Sequence, residues 1–311
     1  EYITKEDMED YLADTLGNFV GIGIYMVKNT QNNTIEVLSP IKNSPAQAAG
    51  ILPGDIIKSI NGVEYTGDEM SVAAAKIKGE EGTKVTLMVY RQSTGETLGL
   101  ELERTQIETT TVEGEMLEGE IGYIQITGFK EKTYEQFMQC YTDLQKQDMK
   151  GLIIDLRNNL GGLVDVVSKI ADELVPEGTL VYTIDKQGNR QDTVSDAKCI
   201  EIPLVLLVNE YSASSSEILA GAVQDMGVGK LVGTQTFGKG LVQGLYFLRD
   251  GSALKITIQK YYTPKGVCIQ GTGITPDYVV ELPEEYEYAI EIPQEYDTQL
   301  QKAVEVVTEQ I

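Results

Sequence analysis

The chain has no histidine. That excludes Ser-His-Asp and Cys-His nucleophilic arrangements and any zinc site with a histidine ligand. An enzyme built from this sequence must take its general base from Lys, Asp, Glu or Tyr. Cysteine is scarce too. Cys140, Cys199 and Cys268 show no CxxC spacing, and they read as buried free thiols rather than a disulfide framework or a metal site. Positive charge is in short supply: 25 Lys and Arg stand against 48 Asp and Glu in 311 residues, a formal charge of −23. Nucleic acid is therefore not an expected partner, because phosphate binding needs clustered cations, and a bare anionic membrane surface is disfavoured. The longest apolar run, Ile202–Val208, is broken by Pro203. It has the length of a strand, far short of the roughly 20 residues of a membrane helix. No signal-peptide pattern follows Glu1, so an export signal or anchor is expected outside this sequence.

What is present is an ordinary globular composition, 41% hydrophobic and 23% charged, at a length that suits two domains. At the start of the chain Tyr11, Leu12, Leu16 and Phe19 stand at roughly helical spacing, which predicts a short amphipathic helix over residues 1–18. Residues 19–105 read as one compact unit of short strands and helices. Thr34–Leu38 alternates like a strand, Ser44-Pro45-Ala46 opens a helical turn that Gly50 ends, and Asn61-Gly62 signals a hairpin. Residues 106–120, rich in Thr and Glu, read as a linker or edge strand. From Gly122 to about residue 282, apolar strands alternate with helices in a mixed α/β pattern. Gly151–Leu156 and Pro203–Val208 are apolar enough for a buried sheet. An acidic, Tyr-rich tail and a terminal helix over Asp297–Val307 complete the chain through residues 283–311.

Within the first unit, Gly21-Ile22-Gly23-Ile24 and the run Ser44-Pro45-Ala46-Gln47-Ala48-Ala49-Gly50-Ile51-Leu52-Pro53-Gly54-Asp55-Ile56-Ile57 resemble a PDZ domain of the bacterial protease type. A glycine-rich turn lets successive N–H groups converge on a carboxylate, and an open strand edge accepts an extended peptide. The resemblance makes Gly21, Ile22, Gly23 and Ile24 the expected peptide-binding residues. A tight turn alone would also explain the two glycines.

Three later stretches carry candidate chemistry. Asp155-Leu156-Arg157-Asn158-Asn159-Leu160-Gly161-Gly162 runs from a strand through a Gly-Gly turn into a helix. The N–H groups of such a turn can stabilise an oxyanion, although for this stretch taken alone a tight strand–helix connection is the favoured reading. In the second, Ser212-Ala213-Ser214-Ser215-Ser216-Glu217-Ile218, Ser214 and Glu217 stand at capping-box spacing. A serine at a helix N-terminus is also a plausible nucleophile, since the dipole favours negative charge there. The third, Gly233–Gln243, nearly fits the phosphate-loop pattern GxxxxGK[ST]. Gly240 stands where the magnesium-binding hydroxyl belongs, and a strand rather than a helix follows, which disfavours a nucleotide hydrolase. The glycines beside Lys239 are expected instead to admit its side chain to a crowded, partly dry pocket as a neutral amine base.

Together with Gln243, Tyr261-Tyr262-Thr263-Pro264 and Gly271-Thr272-Gly273-Ile274-Thr275-Pro276-Asp277, these stretches resemble the carboxyl-terminal processing proteases, serine peptidases with a Ser-Lys dyad. The resemblance spans about Gly21 to Ile311. It implies a PDZ domain followed by a mixed α/β peptidase core of the ββα-spiral, crotonase-like type. It implies Ser214 as nucleophile, Lys239 as base and Gln243 as the residue orienting the lysine. The oxyanion donors would be the N–H groups of Ser215 and Gly161, with Gly162 as the alternative. Ser215 stands where the family often has alanine, which leaves Ser216 as a reserve nucleophile. Val267-Cys268 stands where the family often has a basic residue. Arg91, at the end of a PDZ strand, is a candidate for coupling peptide occupancy to catalysis. The implied activity is endopeptidase cleavage through an acyl-enzyme, with no metal or organic cofactor. The implied partners are proteins or peptides with free, unstructured C-termini and a second copy of the chain through the terminal segments, and the implied location is extracytoplasmic. The alternative is an inactive PDZ-bearing scaffold on the same fold, against which the presence of Ser214, Lys239 and Gln243 counts.

Overall fold

The structure, a computed structural model, describes residues 1–286 and 292–311, with the exception of the side chains of residues 6, 9, 10, 13, 14 and 18. The chain divides into two compact units, Gly17–Thr109 and, with the N-terminal segment Glu1–Leu16, Thr110–Ile311.

The smaller unit is built on an antiparallel sheet in the order Ile24–Asn29, Thr34–Pro40, Asp55–Ile60, Lys84–Arg91, Glu96–Glu103. Alternate residues point inward, so Val85, Leu87 and Val89 join Ile35, Val37, Ile57 and Ile60 in one core. Asn61 and Gly62 both take positive φ, 52° and 79°, and turn the chain so that Ile60 faces Val63. Ser44 caps the short helix Pro45–Ala48, its hydroxyl accepting from the Gln47 N–H. Among the described residues Ile24–Asn29 pairs with Thr34–Pro40 alone and leaves its other edge open.

The larger unit is organised by a sheet of six strands in the order Val112–Leu117, Ile121–Ile126, Gly151–Asp155, Leu204–Val208, Lys230–Gly233, Tyr278–Val279. The first pair is antiparallel and every later pair parallel. Val112–Leu117 is the edge strand. The runs Leu152-Ile153-Ile154 and Leu204–Val208 are apolar throughout because both faces are covered. Leu152, Ile154, Leu204, Leu206 and Val208 meet the helices Thr133–Gln145, Val164–Leu174 and Ser215–Met226. Ile153, Val205 and Leu207 meet Leu300, Ala303, Val306 and Val307 of the C-terminal helix Thr298–Thr308. Asp297 caps that helix, its carboxylate accepting from the Leu300 N–H. A second, antiparallel sheet joins Gly178–Asp185, Arg190–Ser195, Leu241–Phe247, Ala253–Tyr262 and the N-terminal strand Tyr2–Ile3. Among the described residues no helix is long and apolar enough to cross a membrane. Of the expected acidic tail, residues 287–291 lie outside the described residues.

Candidate active site

Three neighbouring parallel strands, Gly151–Asp155, Leu204–Val208 and Lys230–Gly233, end on the same side of the sheet. Their following loops are the three stretches singled out in the sequence. Parallel pairing thus converts segments far apart in the chain into one cluster at the carboxyl ends of the strands, the usual place for a site in such sheets.

The serines of the middle loop divide sharply. Ser212, Ser215 and Ser216 are fully buried. Each donates its hydroxyl to a carbonyl of the neighbouring loop: Ser212 to Leu156 (2.8 Å), Ser215 to Gly162 (2.9 Å) and Ser216 to Asn159 (2.8 Å). Ser214 differs. It lines an open cleft of about 690 Å³, at the N-terminus of the helix Ser215–Met226, with φ 57° and ψ −113°. A non-glycine residue in that conformation is strained by about 1–3 kcal/mol and persists only where its surroundings hold it. The reserve candidate Ser216 is buried with its hydroxyl committed, so it does not reach the cleft.

What holds Ser214 is Glu217. Its buried carboxylate accepts four hydrogen bonds: from the N–H of Ser214 (2.9 Å) and of Lys239 (2.9 Å) at Oε2, and from the Thr236 hydroxyl (2.6 Å) and the Gly238 N–H (2.7 Å) at Oε1. The capping-box spacing is therefore real, and the same carboxylate also seats the lysine loop. Tyr261 adds a second clamp, its hydroxyl donating to the carbonyl oxygens of Ser214 and Lys239. Burial, reinforced by the negative charge of Glu217, raises the Tyr261 phenol far above its ordinary value, so it stays a donor. Sequence reasoning saw Glu217 only as a cap and Tyr261 only as part of a motif.

Lys239 and Gln243 both line the cleft beside Ser214. The Lys239 side chain is exposed, which corrects the expectation of a dry pocket. The flanking glycines serve backbone packing instead. A Cβ at Gly238 would lie 2.9–3.2 Å from the amides of Gly271, Thr272 and Gly273, and one at Gly240 would lie 2.7 Å from the Gln270 nitrogen. Gln243 lies in the strand Leu241–Phe247 opposite a bulge in the strand Ala253–Tyr262, where Ile258 is the extra residue, and no hydrogen bond joins it to Lys239. The strand after Gly240 is also the physical reason this loop is no phosphate cradle.

The glycine turn is pinned from several sides. The Gly161 N–H donates to Asn159 Oδ1 (2.9 Å), while the carbonyl of Gly161 accepts from Phe129 and that of Gly162 from Ser215. Among the described residues, the N–H groups of Gly162 and of Ser215 meet no acceptor. The far wall of the cleft is the second sheet, with Thr183, Gln191, Thr193, Leu245, Lys255 and Gln259, and Tyr11 and Thr15 of the N-terminal helix close one side.

In the smaller unit, Gly23 takes φ 74°, and a Cβ there would lie 2.3 Å from Ser44 Cβ. The carbonyls of Ile22 and Gly23 turn inward, accepting from the Ala46 N–H and from the Ser44 hydroxyl and Ile41 N–H. Gly21 ends the short strand Asn18–Gly21, and Ile24 opens the free-edged strand. Arg91 is held within its own unit by a two-pronged pair with Asp55 (2.9 and 2.7 Å) and by the Gly50 carbonyl.

Residues 120–280 match the model of peptidase family S41, and residues 36–91 match that of a PDZ domain. The chain is 39% identical over 298 residues to the carboxy-terminal-processing protease of Bartonella bacilliformis, covering 92% of this chain and 67% of that protein. It is 38% identical over 286 residues to the carboxyl-terminal-processing protease of Synechocystis, with 90% and 67% covered. Among solved structures it is similar to the photosystem II D1 C-terminal processing protease, with a TM-score of 0.56 and 31% identity over 91% of this chain and 78% of the other.

Proposed function

The chain belongs to peptidase family S41 and is a serine-type peptidase, and from that membership we propose that it cleaves peptide bonds with Ser214 as nucleophile and Lys239 as base. The observation that carries this reading is the convergence of Ser214 and Lys239 on one buried carboxylate, Glu217, at the mouth of the cleft. Ser214 Oγ attacks the scissile carbonyl and its proton passes to Lys239 Nζ. The developing oxyanion meets the N–H groups of Ser215 and Gly162, a choice supported by the engagement of the Gly161 N–H with Asn159. Each such donor contributes roughly 3–4 kcal/mol to lowering the barrier. The C–N bond then breaks, the amine leaves with the proton held by Lys239, and water hydrolyses the acyl-enzyme with Lys239 again taking the proton. Lys239 is exposed in the cleft, so its desolvation is assigned to the bound peptide. Gln243, lining the cleft beside it, orients the amine once substrate is in place.

Protein and peptide tails with free C-termini are the proposed substrates. The open edge of Ile24–Asn29 and the left-handed turn at Gly23 beside it support capture of such a tail by Gly21–Ile24 as an added strand. The order of strands and helices from Val112 to Gly233 supports a ββα-spiral, crotonase-like core. An extracytoplasmic site of action goes with this reading, and an inactive scaffold is not favoured. The test is turnover of casein by the wild type, Ser214→Ala and Lys239→Ala. Cleavage by the wild type and a loss of roughly 10⁴-fold or more in each variant are expected; full rate in either variant overturns the dyad.

A further inference from the structure

We propose that Asp297, the capping residue of the C-terminal helix, is a positioning residue for catalysis: it holds Arg157, and through it the loop 157–162, in register with the nucleophile turn. This rests on the reading of that loop as an oxyanion site.

Arg157 is nine-tenths buried, and every one of its side-chain nitrogens is engaged. On one side its Nε and Nη2 grip the carboxylate of Asp155, at the end of the strand Gly151–Asp155, with Nη2 at 2.6 Å from Oδ2. On the other side Nη1 and Nη2 grip both oxygens of Asp297, at 3.0 and 2.9 Å, and Nη1 also donates to Gln299 Oε1 at 3.1 Å. The paired two-pronged geometry fixes orientation as well as distance. Asp155 is further fixed by the Tyr123 hydroxyl at 2.7 Å and by the Arg157 N–H at 2.9 Å. Asp297 in turn caps the helix Thr298–Thr308 through the Leu300 N–H at 2.9 Å. The guanidinium is thus a rivet between the central sheet and the C-terminal helix.

The rivet sits at the root of the oxyanion loop. Asn158, at φ 61°, exchanges two hydrogen bonds with the Asn209 side chain, at the entrance to the serine loop. Asn159 donates to the Ile126 carbonyl and accepts from the Gly161 N–H, and its own carbonyl accepts from the Ala213 N–H and the Ser216 hydroxyl. Gly161 then packs so closely that a Cβ on it would lie 2.9 Å from Ser214 Cβ. From Arg157 to the Ser214 turn the contacts are continuous and bonded. If Asp297 lets go, the loop loses its fixed root, and the Gly162 N–H shifts relative to the Ser215 N–H. The second sheet, the far wall of the cleft, contains neither Asp297 nor Arg157. The loss therefore falls on kcat rather than KM, and a displacement of about 1 Å costs up to about 100-fold.

The test uses Asp297→Ser, which keeps a capping oxygen for Leu300 and removes the partner of Arg157. Arg157→Lys keeps the charge and removes the fork, and Asp297→Glu serves as the conservative rescue. Each full-length variant is assayed on casein-derived peptide below its own unfolding midpoint, alongside Ser214→Ala, and the affinity of a peptide aldehyde is measured in parallel. Expected for Asp297→Ser and Arg157→Lys are a fall in kcat of about 10- to 100-fold, KM within twofold, and weakened aldehyde binding, with partial recovery in Asp297→Glu. A lowered midpoint with kcat and aldehyde affinity unchanged assigns the network to stability alone and overturns the proposal. Activity retained by Ser214→Ala would instead overturn the nucleophile itself.

Discussion

At the scale of single residues, the site is a set of commitments that leaves one serine over. Three hydroxyls of the serine cluster tie the loops together, and Ser214 alone lines the cleft, in a conformation held by Glu217 and Tyr261. Close packing makes Gly161 a sensitive neighbour. Its φ is 102°, and a Cβ would lie 2.7 Å from the Ala213 carbonyl and 3.0 Å from the Ser215 nitrogen, beside the proposed oxyanion. Gly161→Ala is therefore expected to lower kcat by about 100-fold or more, one misplaced oxyanion donor, with the far-UV circular dichroism spectrum retained. Wild-type kcat in that variant would remove the loop from the site. Much of this was legible in the sequence. Ser214, Lys239 and Gln243 do meet at one cleft. The exposure of Lys239 was not legible, because glycines beside a lysine look alike whether they admit a side chain or let backbones approach. The second task of Glu217 was hidden as well, since its partners at Thr236, Gly238 and Lys239 are brought close only by strand pairing.

At the scale of elements, short signals read well and long-range pairings read poorly. The Asn61-Gly62 hairpin and the Ser44 cap follow from local chemistry, and both form. The second sheet, which builds the far wall of the cleft, joins Gly178–Asp185 to Ala253–Tyr262 across a long stretch of chain, and no local pattern announces that partnership. One cross-strand pair allows a direct test in the smaller unit, where Asp55 stands opposite Arg91. Burial pushes the Asp55 carboxyl up, but the hydrogen bonds of Arg91, the Leu52 N–H and the guanidinium charge outweigh it, and it lies below its ordinary 3.8. A lowered folded value stabilises the protein above the unfolded pKa, and that stabilisation is lost as pH falls through the folded value. Calorimetry of the full chain should thus show the unfolding midpoint of this unit declining as pH drops below about 4. Asp55→Asn should lower the midpoint at neutral pH and flatten the acid decline. Parallel acid declines in the two proteins would count against the pair.

At the scale of the whole molecule, the chain carries no histidine and a formal charge of −23. Parallel strands gather three loops, a buried glutamate locks two of them, and a cleft beside them is lined by Ser214 and Lys239. The chain divides into a smaller unit, which matches a PDZ domain model within residues 36–91, and a larger unit that carries the peptidase match. The proposed mechanism turns on one covalent event at Ser214. The most direct measurement is labelling with a fluorophosphonate in the presence of a casein-derived peptide, with the adduct located by tandem mass spectrometry. The predicted result is a single adduct on Ser214, none on Ser215 or Ser216, and labelling slowed by orders of magnitude in Lys239→Ala. An adduct on any other residue, or labelling of Ser214 at the wild-type rate without Lys239, would contradict it.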